Sequence, residues 1–316
     1  MNDFFPYKVD LPFSDKTIYY RELNTQEQIN IAKNNLIHSN TRDNHLDYFN
    51  TIFSILIHCV KNPLDLKDLN IVDYIFFVAK LRLVSISNIF ELSINSESKE
   101  FKNIKINVDI NFLVKNLYKI TSELMKNNTL TYQDFEIELG WPLVSDVSVF
   151  SNLLSNDKYT DFDRINNAIP LFLKSIKIKN NVVCLANLDQ KQRLAIYDQI
   201  PSTVTNEIQS RVIDIVSTLK ETDIFGFPEY IFYKFDFFNL VFVDIIKLLF
   251  LFNLNIIYNE IYLLSKRNMN EEYILTLSPT ERQIYLSYEN NAEEKTNKQE
   301  DSELTDIEKL QMEFPE

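Results

Sequence analysis

Apolar residues along this chain recur with two different periods, and the switches between them mark its elements. Tyr7 to Leu11 and Thr17 to Leu23 are short β-prone runs around Pro12-Phe13-Ser14-Asp15, which predicts an N-terminal hairpin. Asn24 then offers an N-cap with Glu27 three residues on, a capping box that starts a helix reaching about Ile37. A second helix is expected from about Asn44 to Val60, ended by Asn62-Pro63. After Asn70, the positions Ile71, Tyr74, Ile75, Val78 and Leu81 step mostly by three and four, which predicts a third helix with one apolar stripe facing a core.

Beyond Ser87 the period shifts towards two. Ile89 to Ile94 and Phe101 to Val108 flank the polar tip Asn95 to Lys99, a second hairpin, and Asp109 to Lys126 returns to helix. Phe135, Ile137 and Leu139 alternate with Asp134, Glu136 and Glu138, giving a strand with one apolar face and one face of carboxylates. Those carboxylates read as solvated like charges rather than as an acid–base pair or a cation site, because the apolar alternation accounts for the strand without chemistry. Gly140, Trp141 and Pro142 punctuate the chain, and a first domain, residues 1–145, is expected to end there.

Residues 146–290 read as mainly helical with one hairpin, Ser175 to Lys179 and Val182 to Leu185 about Asn180-Asn181. Helices are expected over Asp189 to Ile200, Thr205 to Leu219, Leu240 to Phe252 and Ile256 to Leu264. Ser278 as N-cap, Pro279 and Glu281 start another, through about Tyr288. The expected fold class is α+β: an N-terminal α+β domain with short hairpins, then a mainly helical C-terminal domain.

Residues 291–316 differ, with nine acids against three lysines and few large apolar groups, so an acidic disordered tail is expected. Within it Leu304, Ile307, Leu310 and Phe314 recur at steps of three and four, and Thr305 with Glu308 can cap a short helix. The tail either solubilises the chain or lays this stripe into a hydrophobic groove of a partner.

Composition removes whole chemistries. Only Gly140 and Gly226 are glycines in 316 residues, where average usage of about 7% would give about 22. A dinucleotide fingerprint, a Walker loop and a glycine-flanked nucleophile elbow all need closely spaced glycines, and none can be assembled. With 35 Asn alongside abundant Ile, Lys and Phe, the scarcity carries the mark of AT-rich coding and does not by itself exclude an enzyme. The net charge of −13 disfavours phosphate backbones, so no nucleic-acid partner is expected.

The remaining candidates have plainer explanations. His38, His45 and His58 are at least seven apart, too far for the usual zinc spacing, and Cys59 with a histidine lacks any oxyanion geometry. No metal or other cofactor is expected. Cys59 and Cys184 read as reduced, buried thiols in a cytoplasmic protein. Met1 to Pro12 carries no secretory signal pattern. Phe237 to Tyr258 is strongly apolar but includes Asn239, Asp244 and Lys247, so a core helix is expected there rather than a membrane span. Phe225 to Phe242 likewise reads as core, and Arg82 as a helix-dipole partner or ion-pair donor.

Four segments, taken in order, resemble the baseplate hub and hub-assembly proteins of T-even-type contractile-tailed bacteriophages. They are Leu11-Pro12 with Lys16 to Leu23 and Gln26 to Gln28; Asp73 to Phe77 with Leu81-Arg82 and Ser85; Phe135 to Pro142; and Leu188 with Arg193 and Ile200-Pro201. After Ser85 the chain departs from the family pattern, with Ile86-Ser87-Asn88 in place of a small residue or glycine at the turn. The resemblance implies a non-enzymatic virion-assembly role with no catalytic residues, other hub or tail proteins as partners, and a place in the host cytoplasm during assembly or in the virion baseplate. Arg21, Arg82, Leu304, Ile307, Leu310 and Phe314 are the candidate partner contacts. The competing classes are a cytoplasmic small-molecule enzyme and a regulatory adaptor.

The missing ligand spacings and isolated glycines predict that neither a divalent metal nor a nucleotide supports folding. Thermal melts should be unmoved by EDTA, zinc or ATP, and a shift of several degrees with any of them would contradict this.

Overall fold

A computed structural model of the chain describes residues 4–38, 45–94, 104–132, 135–155, 158, 160–178, 181–185, 188–221 and 241–288. It is α+β. In chain order the elements are β1 (Tyr7–Asp10), β2 (Thr17–Tyr20), α1 (Thr25–His38), α2 (His45–Leu56), α3 (Leu64–Lys67), α4 (Ile71–Ser85), β3 (Ile89–Ile94), β4 (Ile104–Asp109) and α5 (Ile110–Leu124). There follow β5 (Thr129–Tyr132), β6 (Phe135–Leu139), α6 (Val147–Ser155), α7 (Asp161–Ala168), β7 (Leu173–Ile178) and β8 (Asn181–Cys184). The last are α8 (Gln190–Tyr197), α9 (Ser202–Glu221), α10 (Val241–Leu249), α11 (Leu254–Lys266), α12 (Glu271–Thr276) and α13 (279–288). The chain forms two compact units, one of Met1–Arg21 with Ile31–Phe252, the other of Glu22–Asn30 with Asn253–Glu316.

Within the first unit the helix after Asn70 departs from the expected single stripe. Asn70 caps it by accepting the Asp73 N–H at 2.9 Å, but nearly every side chain of α4 is buried, Ile71 through Ala79 and then Leu81, Arg82 and Ser85. A helix apolar on all sides has no face to give to water, and the stripe read from every third or fourth position is only the densest part of its surface. Helices α5 and α10 pack against it. At its end Ile86 closes the turn with φ −134°, its N–H reaching the Arg82 carbonyl at 2.8 Å. The turn needs no positive φ, which is why the family's glycine or small residue can be absent.

Three sheets complete this unit, all antiparallel: β1-β2, β3-β4, and a four-stranded sheet in the order β5-β6-β7-β8. Thus β6 and β7, on either side of residue 145, pair in one sheet, with Glu136 opposite Lys177 and Glu138 opposite Ser175. The strand β5, which the period analysis passes over, pairs with β6. Ile178 pairs directly with Asn181, so Asn181 belongs to the strand and not to the loop expected at Asn180-Asn181, and residue 180 lies outside the described residues. Gly140 allows the end of β6 to lie close to β7, since a Cβ there would meet the Lys174 Cβ at 3.1 Å.

The second unit draws distant parts of the sequence together. The Asn24–Glu27 box forms as expected, each backbone N–H reaching the other residue's side chain at 2.8 Å, and Ser278 with Glu281 repeats the arrangement at the start of α13. Arg282 is buried and donates to Thr25 Oγ1 at 2.6 Å, Gln28 Oε1 at 3.0 Å and Glu260 Oε2 at 2.7 Å. Leu264, Ile274 and Leu277 form the apolar centre beside it. In a chain so poor in glycine, left-handed turns fall to Asn and Asp: Asn268, after α11, has φ 60° and Asp15, in the first hairpin, φ 54°.

Ile245–Lys266 is the one stretch of the described residues with the length and hydropathy of a membrane span, and residues 251–253 interrupt its helix. The core expected over Phe225 to Phe242 falls mostly, and the tail 291–316 with Leu304, Ile307, Leu310 and Phe314 wholly, outside the described residues.

Replacing Arg282 by Leu removes a buried charge that ties three chain segments, and leaves the half-buried Glu260 carboxylate held by Gln283 alone. The urea midpoint should fall by the equivalent of about 3–5 kcal/mol. A loss under about 1 kcal/mol would contradict this role.

Candidate functional site

The candidate site lies at the N-terminal end of α4, inside the first unit. The β1–β2 turn reaches α4 through the Phe13 N–H, which donates to Asp73 Oδ1 at 3.1 Å, while Asn70 Nδ2 donates to Asp73 Oδ2 at 2.8 Å. The segment after β6 docks on the same end: Ile71 N–H donates to the Pro142 carbonyl at 2.9 Å and Val144 N–H to that of Leu69 at 2.8 Å. A few residues on, Asp146 accepts from Arg193 Nη1 at 2.9 Å, and Arg193 Nε donates to the Leu188 carbonyl at 3.0 Å. Between these ties is a cavity of about 240 Å³, lined among others by Phe13, Ser14, Asn70, Trp141, Phe172 and Arg193.

Burial governs the electrostatics here. It raises the Asp73 carboxyl above the usual range, and hydrogen bonds from Ser14, Phe13 and Asn70 oppose the rise. Asp146 is raised for the same reason, with the Arg193 charge opposing. Three polar groups at the cavity wall are engaged by the fold: Asn70 caps α4, Asn128 Nδ2 donates to the Leu139 carbonyl at 2.9 Å, and Arg193 holds Asp146, while Ser14, Asp68 and Lys174 also line it. What remains for a guest is mostly aromatic and aliphatic surface.

The two arginines singled out in the sequence occupy other places. Arg82 is 1% exposed at the far end of α4 and donates to the carbonyls of Leu249 at 2.6 Å, Leu251 at 2.9 Å and Ile89 at 3.3 Å. It therefore ties the end of α10 and the start of β3 to α4 through backbone oxygens, and burial lowers its pKa to about 10. Arg21 is partly exposed, its backbone N–H bonded to the Cys59 carbonyl at 2.9 Å and its guanidinium 5.8 Å from the centre of the Phe4 ring. Sequence reasoning missed Asp146 and did not foresee that Arg193 and Asn70 line one cavity, with Asp73 bonded to Asn70 behind its wall. The only sequence signal for that was the family resemblance of the segments that carry Asp73 and Arg193.

Other expectations change on contact with the fold. Glu136 and Glu138 are not solitary solvated charges, because β7 brings Lys177 to 3.3 Å from the first and Lys174 to 2.7 Å from the second. Asp134 lies outside the described residues. Cys59 is buried as expected, but Cys184 is exposed, because it sits on β8, where all four side chains of an edge strand face solvent. Among the described residues no group of three or more His, Cys, Asp and Glu could hold a metal ion.

A family model described as T4 bacteriophage base plate protein matches residues 5–220. The chain belongs to that family. No curated protein and no solved structure matches it. The base plate match contains every residue of the α4 junction described above, from Phe13 to Arg193, as well as Arg21 and Arg82.

Because the folded-state pKa of Asp73 lies above its unfolded value, its contribution to stability is greatest at low pH and is lost as pH rises through the raised value. Comparing urea midpoints from about pH 6 to about pH 4, wild type should gain on Asp73→Asn as the pH falls. A pH-independent difference between the two would contradict the burial argument.

Proposed function

We propose that this base plate family member is a non-enzymatic structural or assembly protein of the central baseplate hub, working by binding other hub or tail proteins. The observation that carries the reading is that all four segments resembling hub proteins contribute to the first unit, three of them meeting at the α4 junction, within the region the family model matches. A shared scaffold supports this reading: Asn70, Asp73, Asn128, Asp146 and Arg193 at the junction serve as caps and ties. In this reading the chain works in the host cytoplasm during assembly or as part of the virion baseplate. Arg21, the more exposed of the two arginines, is proposed as a partner contact, while Arg82 supports the scaffold behind it. The tail stripe Leu304, Ile307, Leu310 and Phe314 is proposed as a further docking element.

A small-molecule enzyme would place its ligand in the cavity of about 240 Å³, the specific feature that favours that second reading. Its walls offer Arg193 and Asn70 only in hydrogen bonds the fold already uses.

Affinity purification of the tagged chain from infected cells tests the proposal. Baseplate or tail proteins should be recovered in stoichiometric amounts. Recovery of metabolic enzymes alone, or of no phage protein, would overturn it.

A further inference from the structure

The second unit leaves large apolar side chains in water. On α11 these are Ile256, Tyr258, Tyr262 and Leu263, on α12 Tyr273, and on α13 Ile284, Tyr285 and Tyr288, with Tyr288 70% and Ile256 59% exposed. Single exposed apolar residues need no explanation, but several on three helices fixed to one another do. The helices are fixed: Arg282 and Gln283 of α13 both hold Glu260 of α11, at 2.7 and 2.6 Å. The rings of Tyr273 and Tyr285 meet edge to face at 6.4 Å, with their hydroxyls 3.1 Å apart.

The charge around this face has one dominant sign. Glu271 and Glu272 stand exposed in the first turn of α12, and Glu281 in the first turn of α13. The Tyr273 hydroxyl is held above its usual range, first by its bond to Tyr285 and also by the Glu281 charge, which puts that carboxylate beside the tyrosine pair. Against these three exposed glutamates stand Lys266, which lies 4.7 Å over the Tyr262 ring, and Arg267, whose Nη1 lies 3.5 Å from the Tyr285 carbonyl, while Glu260 is paired with the buried Arg282. The chain continues from α13 into residues 291–316 with nine acids and three lysines.

We propose that this aromatic, acid-rimmed face docks a basic segment of a neighbouring baseplate protein, one whose apolar anchors are flanked by Lys or Arg. The inference rests on the baseplate reading above. Tyrosine faces and carboxylates together suit a Lys or Arg head, while the apolar positions take the anchors. Nucleic acid, an anionic lipid surface, a second copy of this −13 chain and its own acidic tail would all bring like charge to the rim.

The test uses the full chain and two synthetic amphipathic helical peptides, one of Leu and Lys, the other of Leu and Glu, followed by fluorescence anisotropy. The Leu-Lys peptide should bind, more weakly at higher salt, and the Leu-Glu peptide should not. Binding should weaken about tenfold in Glu271→Lys with Glu272→Lys, and similarly in Tyr273→Ala with Tyr285→Ala, each compared at a temperature where circular dichroism shows the variant fully folded. Equal binding of both peptides, or no effect of either double variant, would overturn the proposal. So would a dimer seen by sedimentation that Tyr285→Ala dissolves, since the occupant would then be a second copy. A gain in Leu-Lys affinity on removing residues 291–316 would make the tail the occupant and also overturn it. In infected cells the two readings separate. If wild type and Tyr273→Ala with Tyr285→Ala recover baseplate proteins equally, the baseplate role stands and this face is not its docking surface. If neither recovers any, the baseplate role itself fails.

Discussion

A helix buried along nearly its whole length, with only Lys80, Leu83 and Val84 half-exposed, imposes the main constraint on the first unit. The interior of α4 satisfies its own backbone, but its ends cannot, and both ends carry charge under cover: Asp73 in the first turn and Arg82 in the last. This order agrees with the helix dipole, acid at the N-terminus and base at the C-terminus. Dipole interaction alone would not hold such groups out of water, so each must be met by hydrogen bonds from other parts of the chain. Phe13 and Asn70 meet Asp73, and the carbonyls of Leu249, Leu251 and Ile89 meet Arg82. Segments as far apart in sequence as 13 and 251 are thereby ordered by one fifteen-residue helix.

The same constraint explains why the family resemblance is scattered in short pieces. Three of the four pieces reach the α4 junction: the helix itself from Asp73 to Ser85, the segment ending at Pro142, whose carbonyl accepts the Ile71 N–H, and Arg193, which holds Asp146 just beyond it. Between them, helices such as α9 need only supply an apolar stripe, here Val204, Ile208, Val212, Ile215 and Leu219, and many sequences can do so. For a baseplate family such a division leaves the outer surfaces free to be matched to neighbours while the scaffold is kept.

Local chemistry was the legible part of the sequence. Capping boxes at Asn24 and Ser278, the β1–β2 turn and the alternation of β6 each declare themselves within a few residues, because their causes are local. Asn62-Pro63 and Ile200-Pro201 punctuate in the same way. Burial was less legible, since the spacing of apolar residues in α4 cannot distinguish a helix with one dry face from one dry all round. Pairings across long separations were hidden for a different reason. Nothing near Glu138 announces Lys174, and nothing near Thr25 announces Arg282, because both meetings depend on chain topology. The cavity at the junction is of this second kind, and so is the acid-rimmed face of the other unit, where residues unremarkable singly become a surface once three helices fix them.

The claim that α4 organises the first unit is tested most directly by native-state hydrogen exchange resolved to residues 71–85. If the helix is buried along nearly its whole length and tied at both ends, its amides should open only with global unfolding, and their exchange free energies should track the denaturant stability of the whole chain. Exchange of these amides at a markedly lower free energy, with the sheets still protected, would contradict it.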